Sequence, residues 1–315
     1  MIHTITVLGG GTMGYGIALN FALGGYAVNL VDISREVLDR TLSLMKDSFA
    51  IMVEEGANTK AEGEKAFAML TLTTDRDAAC READLLMEAL PENVELKQKV
   101  FAELDAVCKP ECIFASNTSS LTLTDICARL SDERKARSVI THYFNPAHLI
   151  PLVETMKYPG ASDAALDAID EVYRRSGKVT IRVLKDINGM IANRIQSAIL
   201  REAIWLLEHG YCSEKDLGRA MVFGPCFRYA TTDYLEILDM GGLDIWTVVQ
   251  ERLFKELNNA REVSPLLRSK AEQGNYGWKT GKGFYDYSGS KKEESMERFV
   301  RNLIKQLNVS KNYLF

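Results

Sequence analysis

The chain has 315 residues, 46% of them hydrophobic and 26% charged, with a formal net charge of −5. That length holds two domain cores, and a mixed, slightly acidic charge leaves no basic face for nucleic acid. No stretch approaches the ~18 consecutive apolar residues of a membrane span, so neither a membrane nor a nucleic-acid partner is expected. No targeting segment is expected before the first strand, and six cysteines without paired C-x-x-C spacing read as free thiols of a reducing cytoplasm.

Ile5 to Leu8 reads as a buried parallel strand, and the run Gly9-Gly-Gly-Thr-Met-Gly14 leads from it into an apolar helix through Leu23. The G-x-G-x-x-G spacing falls on Gly9, Gly11 and Gly14. The first allows a tight strand-to-helix turn, the second lets backbone approach a pyrophosphate, and the third lets helix and sheet pack closely. A second strand, Ala27 to Val31, delivers Asp32 about 20 residues on, where a carboxylate accepts from ribose hydroxyls and repels a 2′-phosphate. This context predicts NAD as cofactor.

Ser34 caps a helix running to about Glu55, and a charged turn and a short helix lead to a strand at Leu70 to Thr73. Further strands are predicted at Asp84 to Glu88, Cys112 to Ala115, Ser138 to Phe144, Leu152 to Met156 and Val179 to Val183. Helices are expected at Val94 to Val107 and Ser162 to Ser176. The alternation predicts a Rossmann-type α/β fold, a doubly wound, mostly parallel sheet covered on both faces. Near Lys185 the pattern turns helical, with an apolar stripe through Ile191, Ile195, Ile199, Ala203 and Leu206 ending at Gly210. More helices are expected at Ser213 to Val222, Thr232 to Met240, Asp244 to Asn258, Pro265 to Gln273 and from Lys291 on. The expected division is therefore an α/β domain over residues 1–185 and an all-α domain over 186–315. The aromatic, glycine-rich stretch from Gly274 to Tyr285 reads as an ordered loop.

Ligands of such sheets sit at the carboxyl ends of the strands. There the chain carries Ser116-Asn-Thr-Ser-Ser120, His142-Tyr-Phe-Asn-Pro146 and Val153-Glu154. A nicotinamide dehydrogenase needs a base for the alcohol proton, and histidine titrates in the right range. Of four histidines, His3 lies at the wrong end of the first strand and His209 at a helix C-terminus. His142 directly follows its strand and faces Glu154 across an expected turn, whereas His148 is expected inside that turn, toward solvent or the rim of the substrate. A carboxylate beside the imidazole would fix its tautomer. Spacing alone is equally compatible with a core histidine and a strand-end carboxylate. Cys108 and Cys112 have no His or second Cys pair near them in sequence, so no metal site is expected.

These segments together resemble the L-3-hydroxyacyl-CoA dehydrogenases over nearly the whole chain. The resemblance is carried by GGGTMGYGIA at Gly9 to Ala18, MEALPENVELKQKVFAELD at Met87 to Asp105, FASNTSSL at Phe114 to Leu121, HYFNPAHLIPLVE at His142 to Glu154, GMIANR at Gly189 to Arg194 and GWKTGKGFYDY at Gly277 to Tyr287. It implies His142 as catalytic base, Glu154 as its partner, and Ser119 and Asn193 as hydrogen-bonding groups at the reacting oxygen. By the same resemblance Gly9, Gly11, Thr12, Met13, Gly14 and Asp32 hold the cofactor. Glu88, Glu92, Lys97 and Asn117 lie toward its nicotinamide side, Asn145 helps hold the substrate cleft, and the protein is a homodimer. The implied reaction is reversible oxidation of a short-chain L-3-hydroxyacyl-CoA.

The chain departs from the acyl-CoA pattern at Glu54 and Glu55, which stand where lysines would meet CoA phosphates. HLIPLVE ending at Glu154 and the helix start Asn188 to Gln196, followed later by Phe227-Arg-Tyr-Ala230, resemble relatives acting on free 3-hydroxy acids, of the L-gulonate and carnitine dehydrogenase type; Arg228 has the planar fork that suits a substrate carboxylate, though a structural ion pair would use it equally. A third reading is an NAD-binding protein without turnover, against which the intact Ser, His, Glu and Asn set argues.

Overall fold

The computed structural model describes residues 1–313; the last two residues of the expected helical domain, 314 and 315, lie outside the described residues. Eight strands form one sheet: β1 (Thr4–Leu8), β2 (Ala27–Val31), β3 (Leu70–Thr73), β4 (Leu85–Glu88), β5 (Ile113–Ser116), β6 (Ser138–Tyr143), β7 (Leu152–Lys157) and β8 (Val179–Arg182). Their spatial order is β3-β2-β1-β4-β5-β6-β7-β8. Between them run α1 (Gly14–Leu23), α2 (Arg35–Glu54), α3 (Lys60–Ala68), α4 (Arg76–Arg81), α5 (Val94–Asp105), α6 (Leu123–Ile126), α7 (Asp132–Lys135) and α8 (Ala164–Arg175). This is the doubly wound Rossmann-type sheet expected from the alternation.

The period-2 geometry of strands divides the core into two layers. Ile5, Val7, Leu85, Met87, Ile113 and Ala115 pack with Ile17 and Phe21 of α1 and Ile169 and Tyr173 of α8. Leu8, Leu86, Phe114 and Ile140 pack on the other face with Phe101 and Leu104 of α5 and Leu123 and Ile126 of α6. Because both faces are covered, β4 (LLME) and β5 (IFAS) are buried at every position and carry apolar residues at consecutive positions rather than alternating ones. Helix starts follow local chemistry: the Ser34 hydroxyl accepts from the Val37 N–H, and Thr59 and Glu62 form a reciprocal capping box.

All strand pairs are parallel except β6 and β7, which run antiparallel with His142 opposite Glu154. The connector, residues 144–151, is too short for the helical crossover that parallel neighbours need. Its path overturns the expectation for His148. That ring is 6% exposed and packs 5.4 Å from the Tyr15 ring, over Gly16, where a Cβ would come 3.0 Å from its Nδ1. The connector folds back onto α1 because Gly16 offers no side chain, and Lys178 staples it by donating to the carbonyls of Ala147 and Ile150 at 2.6 and 2.7 Å.

A second compact unit begins at Ala192. It comprises α9 (Ala192–Glu208), α10 (Glu214–Phe223), α11 (Pro225–Tyr229), α12 (Tyr234–Gly241), α13 (Leu243–Leu253), α14 (Pro265–Glu272) and α15 (Lys291–Ser310). Gly210, at φ +71°, follows the end of α9 in the left-handed region where glycine is favoured. The helix expected to reach Asn258 ends at Leu253, and the five-residue α11 was not anticipated. The glycine-rich stretch is ordered: Gly277 and Lys282 bridge, and Trp278 packs edge-on against Tyr287 and Phe299. No helix among the described residues is long and apolar enough to cross a membrane.

Burial, reinforced by the Lys178 charge, pushes the His148 imidazole down to about 4, and neither ring nitrogen has a hydrogen-bond partner among the described residues. An unfolded chain takes up a proton there near pH 6.5, which the folded chain refuses until about 4. Folding stability is therefore retained above pH 6.5 and falls as pH drops toward 4, by up to about 1.4 kcal/mol per pH unit from this group. Denaturant titrations at pH 7.5 and 5 are expected to show His148→Leu with a flatter loss than the wild type. An equal loss in both would assign the acid sensitivity elsewhere.

Candidate functional site

The loop between β1 and α1 is shaped by what its glycines lack. Gly9 sits at φ +99°, and a Cβ there would come 2.8 Å from the Ala89 carbonyl oxygen. A Cβ at Gly14 would stand 1.7 Å from the Gly9 carbonyl oxygen, which no side chain can satisfy. At Gly11 nothing lies within 4 Å, so this backbone is open to a ligand. Thr12 is exposed and Met13 half-buried. Helix α1 starts without a side-chain cap and without an acidic residue in its first turn, the arrangement that accepts a phosphate. At the end of β2, Asp32 accepts from the Gly10 N–H at 2.8 Å and the Ser34 N–H at 3.2 Å, which sets the carboxylate beside the loop. These residues fit a dinucleotide: an open glycine backbone for the pyrophosphate and a fixed carboxylate for a ribose.

At the carboxyl ends of β4 and β5 a buried ionic network holds the next loops. Glu88 and Lys97, 0% and 1% exposed, pair at 2.7 Å; Glu88 also accepts from the Leu90 N–H and, at 2.5 Å, from the Ser116 hydroxyl. Lys97 reaches Glu92 at 3.3 Å. Glu92 in turn accepts from the Thr118 and Ser120 hydroxyls and from the Ser119 and Ser120 N–H groups. Partial burial pushes the Glu92 carboxyl up, but the hydroxyl bonds and the Lys97 charge outweigh it and hold it down at about 2. Ser119 is thus positioned through its backbone, with its side chain exposed. Asn117 accepts from the Tyr143 N–H at 2.9 Å and so ties this loop to β6.

On β6 and β7 the antiparallel register puts His142 against Glu154, with Nδ1 2.9 Å from Oε2. Both are buried, His142 at 5% and Glu154 at 0% exposure, and the Phe144 ring packs edge-on at 5.4 Å. A carboxylate at Nδ1 places the proton on that nitrogen and leaves Nε2 as the acceptor. The other carboxylate oxygen of Glu154 accepts from the main-chain N–H of Ile191 at 2.9 Å. Asn145, which precedes Pro146, is exposed on the connector.

Asn193 and Arg228 belong to the second unit, in the first turn of α9 and in α11. Among the described residues no carboxylate pairs with Arg228; its guanidinium lies 5.8 Å over the Tyr229 ring. Reading the sequence missed Ser116, Thr118 and the Ile191 N–H. The hydroxyl-rich run at 116–120 was a signal for the first two, whereas a main-chain donor leaves no mark in residue type.

Comparison with known proteins shows the family. The profile of the 3-hydroxyacyl-CoA dehydrogenase NAD-binding domain matches residues 4–187, and that of the C-terminal domain matches residues 189–287. A 3-hydroxybutyryl-CoA dehydrogenase of Bradyrhizobium diazoefficiens is 34% identical over 292 residues, covering 92% of this chain and 97% of the relative. A 5-formyl-3-hydroxy-2-methylpyridine 4-carboxylate 5-dehydrogenase of Mesorhizobium japonicum is 30% identical over 304 residues, covering 96% and 97%. A crystal structure of an enzyme of the latter activity, described as an NAD+-dependent dismutase, superposes with a TM-score of 0.91 at 29% identity over 100% of both chains. The (S)-3-hydroxybutyryl-CoA dehydrogenase of Ralstonia eutropha gives 0.73 at 31% identity, covering 92% of this chain and 100% of that one. An NAD-binding Rossmann domain followed by helices, with both family profiles in order, makes this chain a member of the 3-hydroxyacyl-CoA dehydrogenase family.

Proposed function

We propose that this enzyme interconverts a short-chain L-3-hydroxyacyl-CoA and the 3-oxoacyl-CoA, with His142 as general base. The observation that carries this reading is the buried His142–Glu154 pair at the carboxyl edge of an NAD-binding sheet. NAD, when bound, supplies the hydride acceptor. His142 Nε2 takes the hydroxyl proton, and Glu154 stabilises the imidazolium that results. Ser119 and Asn193 are assigned, on the family resemblance, to orient the reacting oxygen, and Asn145 to hold the substrate cleft. The cofactor is assigned to Gly9, Gly11, Thr12, Met13, Gly14 and Asp32, with Glu88, Glu92, Lys97 and Asn117 bracing the nicotinamide side. Residues 1–185 would serve as the NAD domain and 186–315 as the substrate and dimerisation domain.

A second reading, a free-acid dehydrogenase, is favoured by the full-length likeness to the pyridine-carboxylate enzyme and by an Arg228 without an ion pair among the described residues. Glu54 and Glu55 at the end of α2 also disfavour an anionic CoA nearby. Arg228 would then grip the substrate carboxylate.

Five outcomes are expected. His142→Gln should lower turnover by about 10²–10⁴ in a folded protein; near-normal turnover would remove His142 from the chemistry. In NAD-reduction assays 3-hydroxybutyryl-CoA should exceed free 3-hydroxybutyrate, L-gulonate, carnitine and the pyridine-carboxylate alcohol, and the reverse order would select the free-acid reading. Gly14→Ala should abolish NADH binding measured by fluorescence, while Asp32→Ala should erode the preference of NAD over NADP. Light scattering is expected to return twice the 35.2 kDa chain mass if the family's dimer forms.

A further inference from the structure

The Glu154 carboxylate does more than face an imidazole. With Oε2 at His142 Nδ1 and Oε1 on the Ile191 N–H, both at 2.9 Å, this buried carboxylate is held at its two ends. A carboxylate gripped at one oxygen can swing about its side-chain torsions. One gripped at both cannot do so without giving up a hydrogen bond.

The donor is delivered by an unusual piece of backbone. Ile191 directly precedes α9 and is reached through Gly189 at φ +80° and Met190 at φ +50°. Met190 is the non-glycine residue at positive φ among those described. Unbranched but not glycine, it is disfavoured there. It is kept in place by burial, at 4% exposure, in the core layer that holds Ile140, Met156 and Val183. Its own N–H bonds back to the Ile187 carbonyl at 3.2 Å. Disfavoured backbone that the surrounding core maintains points to a function for the turn it creates.

We propose that the turn Gly189–Met190–Ile191 is a positioning element of the reaction centre: left-handed Met190 presents the Ile191 N–H to Glu154, and Glu154 so fixed holds His142 with Nδ1 protonated and Nε2 free for the substrate proton. This rests on the reading of His142 as the base.

The test compares two ways of losing the grip with one that keeps it. Met190→Ile places a β-branched side chain where φ is positive, and Ile191→Pro removes the donor N–H and disfavours the left-handed backbone at Met190. Both are expected to lower kcat by about tenfold, as misplacement of a reacting group does. Both should also move the acid limb of the kcat/KM pH profile and broaden or remove the low-field proton resonance of the His142 Nδ1–H, with NADH affinity retained. Met190→Gly empties core volume but accepts the left-handed backbone, so it should lose thermal stability while keeping the resonance. If Met190→Ile does not fold, Ile191→Pro carries the test. An unmoved pH profile and an unmoved resonance in the folded variants, with His142→Gln inactive, would overturn the proposal and leave the turn merely structural. Full turnover in His142→Gln would instead overturn the assignment of the base on which it rests.

Discussion

The antiparallel register of β6 on β7 is the constraint on which the rest of the site depends. Six strands run one way, and β7 and β8 run the other; the single antiparallel seam sets the end of β6 beside the start of β7, so that His142 and Glu154 become cross-strand partners. Burial then makes their hydrogen bond decisive. An imidazole and a carboxylate shielded from water have few alternative partners, and the bond fixes which ring nitrogen carries the proton.

The loops around that pair are held by a different device. Surface pairs such as Arg35–Asp39, both partners more than half exposed, contribute about 0–1 kcal/mol. Breaking the buried Glu88–Lys97 pair would cost about 3–5 kcal/mol, because either partner alone is a stranded charge. The network running from it through Glu92 to the Ser119 N–H therefore belongs to the rigid part of the molecule. It gives a loop rich in small hydroxyl residues a definite shape at the carboxyl edge of the sheet. The residues that resemble a cofactor-binding set are thus also the struts of the loop that carries Ser119.

Much of this was legible from residue order. The eight strands were readable as short runs rich in apolar and β-branched residues, and the glycine loop was readable because its spacing answers to backbone contacts that any side chain would block. The pairing of His142 with Glu154 was suggested by position but remained balanced against a plain core histidine. Short helices such as α4, α6 and α7 escaped notice, since one or two turns carry too few residues to show a 3.6 period. His148 was misread for a related reason: its neighbours in sequence describe a turn, and only the return of that turn onto Gly16 buries the ring.

The residue order by itself determined the architecture of the first unit, the helical character of the second, and the residue types available for dehydrogenation chemistry. Those properties follow from periodicity and from local backbone chemistry, both of which act over a few neighbouring residues. Tertiary structure alone decided the direction of β7, the burial of His148, and the sharing of one carboxylate between a ring nitrogen and a peptide N–H 37 positions away. Each of these is a contact between segments distant in the chain, and the donor in the last is a main-chain group that every residue but proline possesses. No letter of the sequence could have marked it.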